Sequence, residues 1–277
     1  MHIRKLRKNI GLFSNINNAI RHIIYVDEFG ENPFYIQWKS AFYQSNSGEN
    51  LWNKLFNQPY FNESSSQYDS KNIKELPQIM EKYPRYITPI NGNNLMINPI
   101  KKDYVHSIIQ KHIQFDKKYI DLASKFLKNH KNKYKIGLHI RGSGHLHNGT
   151  KVYRKKFKMI NKIPIPEYIN HLEKKIKEIE GEYTIIIFTD NNFVINYFKE
   201  RYDIVTYNSE RADNFYGEVH VHTKNKKLKE KLCEDIIVET LIMSQCDYLI
   251  HGMSNITNFV QCYNPKLNNK NIYDCFF

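Results

Sequence analysis

The residues 135–147, KIGLHIRGSGHLH, place His139, Arg141, His145 and His147 close together in one short stretch. An apolar run from Ile136 to Ile140 delivers His139 and Arg141 to a loop that holds Gly142, Gly144, His145 and His147. An arginine directly after a buried strand and beside glycines is suited to fork onto phosphate oxygens. A structural salt bridge is the competing role for it. The pairs His145/His147 and His220/His222 have strand-type spacing, which would put each pair on one face, and four imidazoles suit zinc. The first pair, however, sits in a glycine loop where strict alternation does not apply. No carboxylate completes a metalloprotease-type set around either pair. The reading is that no metal is bound.

Two further segments share the character of an apolar run that stops on small or polar residues. FTDN (188–191) places Asp190 and Asn191 before a helix, and GMSN (252–255) places Ser254 and Asn255 at another helix start. Backbone N–H groups at a helix N-terminus, together with the helix dipole, favour an anion. Ordinary helix capping accounts for the same residues equally well. Other templates fail: there is no GxSxG elbow, no Walker A loop and no GxGxxG.

These residues need elements to hold them. The C-terminal part of the chain reads as strands alternating with helices. Strands are expected at 133–140, 183–189, 203–208 and 247–252, and one near 270–276 closes the sheet. Helices are expected at 166–182, 191–202, 227–246 and 254–263. The run YTIIIFT lacks polar alternation, as in a strand covered on both faces. Such an order implies βαβ units and a parallel sheet, with ligand sites at the strand carboxyl ends. Upstream, Ile16, Ala19, Ile20, Ile23 and Ile24 recur at helical spacing after a start rich in Ser and Asn. PFYIQW (33–38) reads as a short strand and 49–61 as a short amphipathic helix ending before Pro59. A long amphipathic pattern over 101–129 suits a connection between two lobes. NESSSQYDSKN (62–72) reads as an exposed loop.

Composition narrows the classes. The 277 residues include 41% hydrophobic ones, enough for a sizeable core. The net charge of +13 attracts anions: nucleic acid, anionic membrane or phosphorylated small molecules. No nucleic-acid-binding motif accompanies the scattered lysines, so nucleic acid is disfavoured. Cys233, Cys246, Cys262 and Cys275 show no CxxC or zinc-ribbon spacing, and three of them fall in segments that read as buried free thiols. The first residues lack the apolar core of a signal peptide, and no window approaches a membrane span. A cytoplasmic protein is the expectation.

Taken together, these segments resemble the fucosyltransferase superfamily that includes nodulation-type α1,6-fucosyltransferases and protein O-fucosyltransferases. IGLHIRGSGH is similar to its His-x-Arg element, and IIIFTDN to its second motif. EDIIVETLIMSQCDYLIHGMSNITNF is similar to the third, while GLFSNINNAI resembles the first strand–loop–helix. The resemblance implies an α/β, GT-B-like fold: two facing Rossmann-like lobes with parallel sheets. Residues 1–115 would form the N-terminal, acceptor-side lobe, and 116–277 the lobe that binds the nucleotide sugar. It implies an inverting glycosyltransferase that moves a sugar, fucose first, from a GDP-sugar to a hydroxyl of a glycan or protein. No cofactor or metal would be needed. Arg141 would be the catalytic residue, stabilising the departing GDP; His139, Gly142, Asp190, Glu239, Ser254 and Asn255 would bind the donor. Glu239 would accept hydrogen bonds from the guanine edge. Gly11, Ser14, Asn15 and Asn17 would line the cleft from the first loop. The chain departs from the family at Gly142 and Gly144, where many relatives carry a second basic residue and an acid. The resemblance identifies no general base; Asp27, Glu28 and Glu31 near the end of the first helix are no more than candidates, because that helix end is expected to face away from the cleft. A binding protein on the same lobes, for a sugar nucleotide or a nucleic acid, is the alternative from another class.

Overall fold

The computed structural model describes residues 2–6, 11–29, 34–39, 43, 50–56, 74–75, 87–90, 94–97, 102–141, 164–213, 226–252 and 254–272. It has two parallel sheets. The N-terminal sheet has the order β2-β1-β3, built from β1 (His2–Lys5), β2 (Phe34–Gln37) and β3 (Lys74–Glu75). Between β1 and β2 runs α1 (Leu12–Phe29), a crossover helix of the kind that parallel strands require. A short α2 (Leu51–Leu55) follows, capped by Asn50, whose side chain accepts from the Trp52 N–H at 3.2 Å. β4 (Ile87–Ile90) and β5 (Asn94–Ile97) form an antiparallel pair that the sequence analysis does not anticipate.

The C-terminal sheet has the order β10-β9-β6-β7-β8 and is parallel throughout. Its strands are β6 (Tyr134–His139), β7 (Tyr183–Phe188), β8 (Ile204–Val205), β9 (Tyr248–His251) and β10 (Asn269–Asn271). The order doubles back at β6, so the chain switches direction across the sheet there, and this is where open α/β sheets bind ligands. The crossover helices are α5 (Ile165–Lys177), α6 (Asn192–Lys199), α7 (Lys226–Met243) and α8 (Asn255–Tyr263). Gly181, at φ 110°, turns the chain from α5 into β7, in a region that side chains other than glycine avoid.

The two faces of this sheet belong to different cores. Ile136, Leu138, Ile185, Ile187 and Ile250 pack with Tyr168 and Leu172 of α5 and Phe198 of α6. The intervening residues Ile186, Phe188 and Leu249 join a larger cluster with α7, α8, α1 and α2. Period-two alternation therefore sends each strand's side chains into two apolar layers, which is why β7 carries no polar alternation. Gly137 lies on the second face. A Cβ there would come within 2.9 Å of Cys246 Sγ and 3.1 Å of both Leu249 Cδ1 and Phe188 Cε2, so the ring and the thiol close over the glycine.

The amphipathic stretch over 101–129 forms two helices. α3 (Lys102–His112) ends before residues 113–116, and Asp116 then caps α4 (Lys117–Lys128) by accepting from the Lys118 N–H. At the break, Phe115 bridges to Phe56 and packs edge-on against Phe259. α3 packs on α1 and α8, and α4 packs along α7. Phe13 of α1 lies 5.0 Å from Phe259 of α8, so the larger core runs without interruption from the N-terminal sheet into the C-terminal one. Cys233, Cys246 and Cys262 are buried free thiols, as expected; Cys275 lies outside the described residues. No described helix is long and apolar enough to cross a membrane.

Candidate functional site

The carboxyl ends of β6, β7 and β9 meet at one edge of the C-terminal sheet. In register, His139 stands between Phe188 on β7 and His251 on β9, so the three side chains form a row on one face. His139 and His251 are buried. The His251 ring sits 2.8 Å from the Gly252 carbonyl and 3.1 Å from Asn269 Oδ1, which ties this end of β9 to β10. The Ile140 N–H donates to the Phe188 carbonyl at 3.0 Å, so the ladder continues one residue past β6. Arg141 then emerges two residues beyond His139, exposed at the edge. Gly142, Gly144, His145, His147 and the pair His220/His222 lie outside the described residues.

At the β9 end, Ser254 caps α8 in a reciprocal box. Its Oγ accepts from the Thr257 N–H at 3.1 Å, and Thr257 Oγ1 accepts from the Ser254 N–H at 3.2 Å. Thr257 Oγ1 also bonds the Gly252 carbonyl, which fixes the turn between strand and helix. The capping role of Ser254 is thus real, and the first-turn N–H groups of Asn255 and Ile256 have no partner within the helix by its geometry. The opposite lobe reaches this point. Asn17 of α1 is fully buried, and its Nδ2 donates to the Asn255 carbonyl at 2.9 Å. Of the other residues expected in the first loop, Gly11 directly precedes α1 and accepts from the Asn15 N–H at 3.2 Å, whereas Ser14, half-buried, and Asn15, buried, lie with Asn17 in the first turns of α1 rather than in a loop.

At the β7 end, Asn191 caps α6 by accepting from the Phe193 N–H at 2.8 Å, while Asp190 is half-buried. The segment after β8 folds back here. Ala212 donates to the Asp190 carbonyl and accepts from the Asn192 N–H, both at 2.9 Å. Its anchor is Arg211, which sequence reasoning missed. Arg211 Nε donates to the Thr189 carbonyl (3.1 Å), Nη1 to Ser209 (3.0 Å), and Nη2 to Tyr207 (2.8 Å) and to Glu239 Oε1 (3.0 Å). The Ser209 hydroxyl donates to the same carboxylate oxygen. Glu239, in the C-terminal half of α7, therefore belongs to this edge. Burial pushes the Glu239 carboxyl up to about 7, against the opposing pull of Arg211 and Ser209; Asp235 and Asp190 push it further in the same direction as burial.

The structure thus gathers His139, Arg141, Asp190, Glu239, Ser254 and Asn255 along one sheet edge, with Asn17 against it from the other lobe. It separates Asp27 from them. Asp27 lies near the far end of α1, paired with Lys111 of α3 at 2.8 Å, about 20 Å along the helix from Leu12 at 1.5 Å per residue. The side chains of Glu28 and Glu31 lie outside the described residues. Among the described residues, no group of three His, Cys, Asp or Glu side chains could hold a metal ion.

Two parallel sheets whose helices pack into one interface, with the strand ends of one sheet turned to the first helix of the other, define an α/β, GT-B-like architecture. Among solved structures, the chain is similar to the fucosyltransferase NodZ from Bradyrhizobium, with 10% identity, 96% of this chain and 93% of that chain covered, and a TM-score of 0.54. It is likewise similar to the NodZ α1,6-fucosyltransferase co-crystallised with GDP, at 10% identity, 96% and 92% coverage and a TM-score of 0.54. The same enzyme soaked with GDP-fucose gives 10% identity, 95% and 92% coverage and a TM-score of 0.55. No protein-family model matches the sequence, and no curated protein matches it. At this identity the likeness is one of fold, and it agrees with the fold that the sequence motifs implied.

Proposed function

We propose that the protein is a glycosyltransferase that moves a sugar, fucose first, from a GDP-sugar to a hydroxyl of a glycan or protein. Transfer inverts the anomeric centre and needs no metal. The observation that carries this reading is the single sheet edge on which Arg141, Asp190, Glu239 and the capped start of α8 converge, facing Asn17 of the other lobe. The GDP and GDP-fucose complexes of NodZ, a protein of the same fold, supply the donor class. In this reading residues 1–115 form the acceptor-side lobe and 116–277 the donor lobe.

The roles follow from charge. As the glycosidic bond breaks, negative charge grows on the diphosphate, and a preorganised cation is needed there. Arg141 supplies a fork of N–H donors at the strand end, and the first-turn N–H groups of α8 add a dipole of the same sign. His139 lies along the nucleotide, Gly142 belongs to the donor-binding set, Asp190 helps shape the donor site, and Glu239 accepts from the guanine edge. Gly11, Ser14, Asn15 and Asn17 close the cleft from the opposite lobe.

Donor hydrolysis tests this without knowledge of the acceptor. With GDP-fucose and water, the wild type should release GDP and free fucose at an unchanged rate in excess chelator, and nascent fucose should carry the opposite anomeric configuration. Loss of activity in chelator with recovery on adding a divalent ion would overturn the metal-independent mechanism. Retention of configuration would overturn inversion.

A further inference from the structure

Glu239 does not stand alone. Its Oε1 accepts from two donors, the Ser209 hydroxyl and Arg211 Nη2, which fill the two lone-pair positions of that oxygen. Among the described residues, no hydrogen bond engages Oε2. The Arg211 side chain is 6% exposed and is held by three backbone carbonyls besides the carboxylate, so the guanidinium has a single seat. One of those carbonyls belongs to Thr189, at the end of β7, where the donor edge begins.

We infer that Arg211 and Ser209 are the positioning residues of the donor-base site: by occupying Oε1 they lock the Glu239 carboxylate and turn Oε2 alone toward the N–H edge of the guanine. The inference rests on the donor reading above. An ionised Oε2 accepts from guanine N1–H and N2–H, whereas adenine presents a ring acceptor at the corresponding position and is repelled. The charged and titratable groups around the carboxylate among the described residues are Arg211 and Tyr207 on the segment after β8, Asp190 after β7, and Asp235 on α7 itself. Arg211 is the one cation in this set. Burial raises the proton affinity of Glu239, and Arg211 and Ser209 both oppose it. Loss of either partner therefore moves the ionisation midpoint up in pH. Guanine recognition, needing the ionised form, moves with it.

The test is the ratio of GDP to ADP affinity of the full chain, measured by calorimetry from pH 6 to 8.5. ADP carries the same diphosphate, so the ratio cancels phosphate titration. In the wild type the ratio should rise with pH through a midpoint near 7, the value for Glu239. Arg211→Met should move that midpoint up by at least about one pH unit, which is a roughly tenfold loss of the ratio at pH 6.5 that narrows as the pH is raised. Arg211→Lys, which keeps the charge, should fall between the two. Ser209→Ala removes only one hydrogen bond and should shift the midpoint the same way by less; it carries the test if Arg211→Met fails to fold. A loss of GDP and ADP binding by the same factor at every pH would make Arg211 a purely structural anchor and overturn the inference. A midpoint unmoved in Ser209→Ala would overturn it too. A wild type that binds no GDP at any pH would instead bring down the donor reading, and this inference with it.

Discussion

Arg141 emerges exposed where the β6 ladder ends, outside the core, and in the proposed mechanism it serves ligand charge. Arg141→Ala should therefore abolish donor cleavage, by about 10²–10³-fold in kcat or more, with the melting temperature within about 2 °C of wild type. Full retained activity would remove the residue from the mechanism. Glu239 makes a different prediction, about stability. Its folded value of about 7 lies above the ordinary 4.5, so the folded protein holds a proton that the unfolded chain has released. The contribution is fully present below about pH 4.5 and is lost as pH rises to about 7, by up to about 1.4 kcal/mol per pH unit. Glu239→Gln lacks this dependence, so it should gain on the wild type in chemical unfolding between pH 5 and pH 7.5. Equal slopes for the two proteins would mean that Glu239 titrates normally. At this scale Arg141, His139 and Asp190 were legible because each sits where an apolar run stops. Arg211 was not, because three of its partners are backbone carbonyls that no side-chain pattern encodes, on a segment brought home only by tertiary folding.

Elements hold the site through close packing at their ends and centres. Gly137 is the tightest point. Gly137→Ala drives a methyl to within 2.9 Å of Cys246 Sγ and 3.1 Å of the Phe188 ring, next to the strand end that carries His139. A destabilisation of about 1–3 kcal/mol is expected in denaturant unfolding, with weakened donor binding because Phe188 shares the row of His139. No change in stability would mean that the cluster yields without strain. Strands β6, β7 and β9 were readable as continuous apolar runs, and the helices between them as caps followed by periodic apolar residues. β1 was not: HIRK carries three basic or titratable side chains in four residues, and only pairing with β2 and β3 makes it a strand. The long amphipathic pattern over 101–129 is interrupted at 113–116, where Phe115 is drawn into an aromatic cluster with Phe56, Phe259 and Tyr263. That tertiary contact overrides local periodicity.

For the whole molecule, the two sheets share an apolar core in which Phe259 touches Phe13 from one lobe and Phe115 and Tyr263 from elsewhere in the fold. The same helix presents its capped start to Asn17. Lobe packing and the proposed donor site thus draw on the same helix, α8. The order of strands and helices in the C-terminal lobe was in the sequence; the facing of the lobes was not, since it depends on Phe13 and Asn17, whose partners lie more than two hundred residues away. The claim that binds these scales together is that this edge holds a guanine nucleotide sugar. A thermal-shift panel tests it most directly. At about one hundred times its dissociation constant, a ligand stabilises a fold by about 2.7 kcal/mol, which raises the melting temperature by roughly 5 °C for a chain of this size. GDP and GDP-fucose should produce that shift in wild type, while UDP-sugars should not. No response to any guanine nucleotide, or an equal response to UDP-sugars, would contradict the account.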